Sequence, residues 1–404
     1  MSVREITEND LLLECGRISS ICFSYPWDWE EAARELEAPP ADAGPRNVTL
    51  GRFDQEGRLT ACLQLPEYQV CCQGQSVPMV GVGGVASLPE YRKGGGIREL
   101  FQTALPWMRQ RGAVFSSLYP FSHLFYRKFG YELCQASPSY KLPAEALAAF
   151  SCTCQVRMLT PGEGLEAELP RLRQVYRAWL GQHSLAADRE DRRWKALFGK
   201  NPTKERCYAY LLEEDGAPLA YVILTTEDAP APQGKTGKIR ELAFTNPSAL
   251  TQALGFLYRL AAQYNCFTLS LPEDLPLAAL LPESYQLSLS LGEQPMARII
   301  NVEKALALKA PGSGEKYTLA VADALLPENS GVFQVTGGAA PAVERLPEGS
   351  PADLSLDIGA LTQLCLGFLS LDELLFKPGV VLNSNQDLLK KAFPKGAVFL
   401  NEFF

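Results

Sequence analysis

EYRKGGGIREL, residues 90–100, places two cations ahead of three consecutive glycines and an arginine just inside the apolar-periodic run that follows. Upstream, Val77 to Leu88 reads as a long buried strand. Downstream, Ile97, Leu100, Phe101, Ala104, Leu105 and Met108 recur at spacings of three and four and mark one face of a helix. Strand, glycine loop and helix in that order make an anion trap. The first-turn amides lack intrahelical partners, and the positive end of the helix dipole lies at the same point. Glycine allows close approach of backbone to oxygen atoms, and Arg92, Lys93 and Arg98 add charge suited to a diphosphate. A plain strand-to-helix turn with solvated cations is the competing reading. Neither common nucleotide motif is present: the Gly-Lys-Ser/Thr ending is missing, and no Gly-x-Gly-x-x-Gly precedes an acidic strand end.

At 404 residues the chain exceeds the size of a single core, so two or three domains are expected. A 47% hydrophobic content predicts an ordinary globular protein. The formal charge of −8 argues against nucleic acid as the main ligand. Eleven scattered cysteines, without paired Cys-x-x-Cys spacing, read as buried thiols in a reducing compartment. With only His123 and His183 available, no metal site or serine triad is expected. No apolar run reaches the roughly eighteen residues of a spanning helix, and the amino terminus has no basic region followed by an apolar one. A cytoplasmic protein without membrane contact is expected.

The first part, 1–150, reads as helix (7–24), a meander of strands from Asn47, the long strand, the glycine loop, helix, short strand, a short helix at Phe121 to Phe129 and an alternating strand from Tyr131 to Lys141. Pro106 predicts a kink or early end in the helix after the loop. The second part, 151–293, has a similar order, but Thr245-Asn246-Pro247-Ser248-Ala249 stands where the first has its glycines. A third part, 294–404, opens with a strand at Ala297 to Val302 and ends Asn401-Glu402-Phe403-Phe404.

The loop resembles the pyrophosphate loop of the GNAT superfamily of N-acetyltransferases, Arg/Gln-x-x-Gly-x-Gly/Ala, with Arg92 and Gly95 in place and Ile97 departing from the last position. Phe125-Tyr126-Arg127-Lys128-Phe129-Gly130-Tyr131-Glu132 resembles the Tyr-x-x-Phe-Gly-Tyr signature of Eis-like (enhanced intracellular survival) acetyltransferases. The resemblance implies a mixed α+β and α/β fold. It would comprise an acetyl-CoA-binding GNAT domain (1–150), a second one lacking the cofactor loop (151–293) and a sterol-carrier-protein-like domain (294–404) that carries the carboxyl terminus into the active site. It also implies a homo-hexamer.

Acetyl transfer from a thioester to an amine needs a neutral nucleophile, a stabilised oxyanion and a proton for the departing sulfur. By resemblance Tyr126 would protonate the sulfur, and a phenol with a reference pKa of about 10 suits that task. The Phe404 carboxylate would take the amine's proton, although its reference pKa of about 3.3–3.7 makes it a weak base unless burial raises it. Val85, Ala86 and Ser87 would offer backbone to the cofactor's arm and the oxyanion, and Arg92, Lys93, Gly94, Gly95, Gly96 and Ile97 would hold the diphosphate of coenzyme A. Gly83 and Gly84 read either as a bulge that frees those amides or as small residues under a helix. Tyr25, Trp27, Asp28 and Trp29 would wall a pocket for a small cationic amine, aided by Glu402, or serve as packing residues. His123 reads as a surface or capping residue, with a proton relay as the alternative. Two other functions share these features: a lipid or hydrophobic-ligand carrier with a non-catalytic CoA-binding domain, and a protein lysine acetyltransferase.

Overall fold

A computed structural model describes residues 2–37, 46–228, 234–292, 294–338 and 341–404. In chain order, β1 (Ser2–Ile6), α1 (Asn9–Phe23), α2 (Trp29–Glu37), β2 (Asn47–Phe53), β3 (Leu59–Cys72) and β4 (Gln75–Ser87) lead to the glycine loop. Next come α3 (Gly96–Gln110), β5 (Phe115–Leu118), α4 (His123–Arg127) and β6 (Glu132–Leu133). The middle of the chain supplies β7 (Pro138–Pro143), β8 (Gln155–Leu159), α5 (Glu163–Ala178), α6 (Asp191–Phe198), α7 (Pro202–Glu205), β9 (Cys207–Glu214) and β10 (Ala217–Asp228). It continues through β11 (Lys235–Phe244), α8 (Pro247–Arg259), β12 (Cys266–Ser270), α9 (Leu277–Leu280) and β13 (Ser288–Leu291). The last part contributes β14 (Met296–Ile299), α10 (Val302–Ala307), β15 (Lys316–Ala322), β16 (Gly331–Thr336), β17 (Ala342–Leu346) and β18 (Leu354–Asp357). It closes with α11 (Ile358–Leu366), α12 (Leu371–Leu374), β19 (Val381–Leu382) and α13 (Gln386–Ala392).

These elements form two units: Met1–Gln135, Pro295–Gly396 and Leu400–Phe404 in one, Ala136–Gln294 and Ala397–Phe399 in the other. The first unit holds a sheet ordered β1-β2-β3-β4-β5-β14-β6, antiparallel except for the β4–β5 pair. On one face α3 buries Leu100, Phe101, Ala104, Leu105 and Met108 against Leu50, Leu63, Leu65, Val80 and Val82. On the other, Cys15 and Ile18 of α1 meet Ile6, Phe53, Leu59 and Cys62. Alternation along the strands thus feeds two cores, as expected for a sheet covered on both faces. The same unit carries a second sheet, β17-β16-β15-β18-β19. Its helix α11 is tied to the first sheet by the Ile299 amide donating to Thr362 Oγ1 (3.0 Å) and by Gln363 Nε2 donating to the Leu133 carbonyl (2.7 Å).

The other unit repeats the plan of the first sheet: β13-β7-β12-β11-β10-β9-β8, with β11–β12 the one parallel pair. Its core gathers Val222, Leu224, Leu242 and Phe244 under Ala249, Leu250, Ala253, Leu254 and Leu257 of α8.

Three expectations change. The run from Tyr131 to Lys141 is two strands in different sheets, β6 and β7, because Pro138 cannot continue a ladder and instead opens a new strand. The strand expected at Ala297 to Val302 is β14, which lies between β5 and β6 of the first sheet and not in the sheet of the third part. Pro106 does not end α3, which continues to Gln110. It sits on the exposed face, where water can bond the carbonyl it leaves without a donor, while the buried stripe holds the helix.

Candidate active site

β4 runs parallel to β5 only from Met79–Phe115 to Val82–Leu118. From Gly83 onward it has β3 on one side and, among the described residues, no strand on the other, and a register shift opposite Leu63 together with Gly84 at φ +54° marks a bulge. The stretch Gly83–Ser87, containing the predicted Val85, Ala86 and Ser87, therefore has one amide edge without a strand partner. After the turn Pro89–Tyr91, Arg92 folds back, donating from Nε to the Ser87 carbonyl at 3.3 Å, with Nη2 3.7 Å from Cys22 Sγ. Lys93 (φ +67°) and Gly95 (φ +82°) are both left-handed. Gly95 is the N-cap of α3 and brings no capping side chain, and Glu99 N is the first helical amide to reach a carbonyl, that of Gly95 at 3.1 Å. The amides of Gly96, Ile97 and Arg98 thus have no intrahelical acceptor at the positive end of the helix dipole, and a Cβ on Gly95 would meet nothing within 4 Å.

The cradle is braced from behind. Arg52, 4% exposed, donates from Nε to Glu99 Oε2 (3.1 Å) and from Nη1 to Thr60 Oγ1 (3.1 Å), which offsets the one acidic charge in the first turn of α3. Tyr91 donates to Asp54 Oδ2 at 3.2 Å. Burial works against the Asp54 carboxylate, yet the Arg58 amide and guanidinium hold its pKa down to about 2.

Tyr126 lies on α4, whose N-cap Ser122 accepts from the Phe125 amide at 3.3 Å. Its ring is set edge-on to Phe125 (5.1 Å), Phe121 (5.5 Å) and Phe101 of α3 (6.1 Å). Burial pushes the phenol well above its ordinary pKa, with Tyr131 adding to the effect, so Tyr126 keeps its proton throughout the working range. The loop after α4 is pinned by Arg298 of β14. This fully buried arginine donates to the Phe129 carbonyl (2.5 Å) and to Asp323 (2.5 Å), and it leaves no room for a side chain at Gly130.

The carboxyl terminus lies against the open stretch of β4. A Cβ on Gly83 would stand 3.0 Å from the Phe404 carboxyl carbon, and one on Gly81 would stand 2.6–2.8 Å from three of its ring carbons. Glycine on this strand therefore marks a close approach of chain to chain; Gly84 alone serves the bulge. The Phe404 ring tilts against Tyr68 at 5.2 Å and meets Tyr119 edge-on at 5.8 Å.

The other predicted residues divide. Trp27 packs onto α1, with its ring where a side chain on Gly16 would be, and its buried Nε1 has no partner among the described residues. Asp28 accepts from the Glu31 amide at 2.9 Å and so helps to start α2, while Tyr25 and Trp29 are exposed. Glu402 is 2% exposed and its backbone carbonyl accepts from Tyr119. His123 Nε2 is buried without a partner among the described residues, so no relay bond links it to Tyr126, and the capping role falls to Ser122. Tyr119, Gly81, Arg52 and Arg298 are the residues that sequence reasoning missed. The glycines on a buried strand were the only usable signal.

Comparison with known proteins fits this geometry. Residues 2–134 match the acetyltransferase (GNAT) domain, residues 185–299 match a second model of that description, and residues 302–401 match the sterol carrier protein domain. The chain belongs to the GNAT acetyltransferases. Solved structures share its fold over the whole length. An Enterococcus faecalis V583 protein described as a probable N-acyltransferase aligns at TM-score 0.84 and 23% identity, over 100% of this chain and 99% of its own. A GCN5-related N-acetyltransferase from Anabaena variabilis aligns at 0.84 and 23%, over 100% of both. Eis1 from Mycobacterium abscessus aligns at 0.78 and 19%, over 100% of both. No curated protein matches the chain.

The two GNAT domains differ at the position that matters for a phosphate. In the second, Asn246 caps α8 by accepting the Ala249 amide at 3.0 Å, so a side-chain oxygen takes the first-turn donor that Gly95 leaves bare in the first. The first domain's donor set, two nearby cations and open space in front of Gly95 suit the diphosphate of coenzyme A. The capped helix of the second does not. Among the described residues, no group of three or more His, Cys, Asp or Glu is placed to hold a metal, and no helix is long and apolar enough to cross a membrane.

Proposed function

We propose that this GNAT enzyme is an acetyl-CoA-dependent N-acetyltransferase acting on primary amines of a small cationic acceptor, aminoglycoside- or polyamine-like. Acetyl-CoA, when bound, would supply the acetyl group as an activated thioester. Arg92, Lys93 and the backbone of Gly94 to Ile97 would hold its diphosphate, and the backbone of Val85 to Ser87 would align its arm. Tyr126 holds a proton at Oη against a raised pKa and serves as the general acid. The Phe404 carboxylate accepts the amine's proton. Tyr25, Trp29, Asp28 and Glu402 are assigned to the acceptor's side of the site, with Trp27 as their packed support.

The functional parts are taken as 1–150 for catalysis, 151–293 as the domain without a cofactor loop and 294–404 as the carrier-like part that delivers the terminus. The protein is read as cytoplasmic, in keeping with its buried thiols, and as a homo-hexamer by family resemblance.

The observation that carries the reading is the terminal carboxyl carbon seated at Gly83, on the open stretch of β4 that leads into the bare-ended helix. It is tested by acetyl-CoA turnover over an amine panel with the native chain, Tyr126→Phe and a chain extended beyond Phe404. Both altered forms should lose roughly two or more orders of magnitude in kcat, in line with general acid–base contributions. Full turnover in both would remove the assigned roles.

A further inference from the structure

The last five residues are held by more than apolar contact. Gln135, 4% exposed, accepts the Leu400 amide on Oε1 at 2.6 Å. Two residues on, Tyr119 donates its hydroxyl to the Glu402 carbonyl at 3.0 Å. The Tyr119 ring also lies against both terminal side chains, Phe403 at 4.6 Å and Phe404 at 5.8 Å, and Tyr68 closes the far side of Phe404 at 5.2 Å. The floor is β4, where Gly81 leaves space for an aromatic ring and Gly83 for a carboxyl group. Two glycines on the buried interior of a strand weaken it. Their spacing of two puts both on one face of the pleat, and each would collide with a different part of the same residue. A groove with an aromatic slot beside a slot for a carboxyl carbon matches a peptide that ends in phenylalanine with a free carboxylate.

We propose that Tyr68, Gly81, Gly83, Tyr119 and Gln135 form a receptor for the chain's own aromatic carboxyl terminus, and that Tyr119 is its positioning residue. This rests on the reading of Phe404 as proton acceptor, since a base must be held within reach of the amine it serves. Tyr119 acts through Phe404 and touches the tail at three consecutive residues, 402 to 404. It therefore fixes the direction of the tail as well as its depth.

Release of Phe404 by a carboxypeptidase specific for aromatic ends, followed by mass spectrometry of the intact protein, reads the seating without reference to activity. In the native chain Phe404 should be released far more slowly than from a free peptide of the last residues. Tyr119→Phe, which keeps the ring and removes one hydrogen bond, should speed release roughly three- to tenfold. It should lower kcat by a similar factor while KM for acetyl-CoA stays within about twofold. Gly81→Ala, whose methyl takes ring space, should speed release further. Native release at the free-peptide rate, or release unchanged in both variants, overturns the proposal. Faster release in the variants with undiminished turnover would keep the receptor and remove Phe404 from catalysis. Turnover that depends on Phe404 but not on Tyr119, with unchanged release, would do the reverse.

Discussion

Replacing Gly95 with alanine separates two properties that most mutations confound. The backbone there is left-handed, φ +82°, and an added methyl meets no protein atom within 4 Å. Folding should therefore feel the conformational strain alone, about 1–2 kcal/mol for a non-glycine residue in this region. That is a tolerable share of a typical total of about 5–15 kcal/mol. Binding should feel more, because the methyl would stand at the N-cap, next to the bare amides of Gly96, Ile97 and Arg98. A methyl that holds an anion away from them loses hydrogen bonds to a charged group, each contributing about 1.5–3 kcal/mol. Coenzyme A affinity, measured by titration calorimetry, should fall at least roughly tenfold. Gly216→Ala is the internal control. It has nearly the same backbone, φ +81°, and the same empty surroundings, but it sits in the turn between β9 and β10. It should cost comparable stability in urea and leave affinity unchanged. Equal affinities for the two variants would refute the assignment of the diphosphate to this loop.

Stability should fall on both sides of neutrality, for reasons of opposite sign. Burial raises Tyr131 to about 12, Cys365 to about 12 and Cys72 to about 11, so their contribution is complete below the unfolded values near 9 and 10 and is lost as pH rises through the folded ones. Asp54, held down to about 2 from the ordinary aspartate value, contributes above that ordinary value and loses its contribution as pH falls through 2. Urea midpoints that stay flat from pH 8 to roughly 11 would contradict the alkaline half. In the second unit, Glu241 binds Arg189 at 2.5 Å and Tyr221 at 2.6 Å, and the Arg189 side chain is only 1% exposed. Glu241→Ala should cost about 3–5 kcal/mol, because it breaks a buried ion pair and removes the carboxylate that Arg189 and Tyr221 both bond. A loss under about 1 kcal/mol by urea unfolding would show that the pair is not buried in solution.

Much of the first sheet was readable because local pattern and packing agree there. The apolar spacing from Leu100 to Met108 is the stripe that α3 buries, and the glycines after Val77 to Leu88 end β4 one residue short of the expected boundary. Where the reading failed, non-local pairing decided. A two-residue strand such as β6 has no periodicity to detect, and its merger with β7 across Gln135 to Ser137 came from alternation that the two sheets share by accident. The placement of β14 beside β5 is likewise invisible along the chain, since the residues it joins are about 180 positions apart in sequence (Met296 with Leu118). Arg298 follows from that placement, and for a single sequence a buried arginine looks like any other.

The site shows the same division more sharply. The glycine loop announces itself because only glycine accepts the backbone that a bare helix start requires, and its counterpart, Asn246, announces the opposite because a capping side chain competes with any bound anion. Both conclusions need only local chemistry. The seat of Phe404 needs residues from β3, β4, the end of β5 and the last turn of chain, and no spacing rule connects them. What remained in the sequence was a cost: glycine at 81 and again at 83, in a strand whose burial would otherwise favour branched or aromatic side chains. Glycine at a bulge explains position 84, where φ is positive, but not these two, neither of which is in the left-handed region. A strand that gives up packing at alternate positions without needing the backbone freedom is making room for another part of the molecule. Here the part that fits is Phe404, its ring at Gly81 and its carboxyl carbon at Gly83.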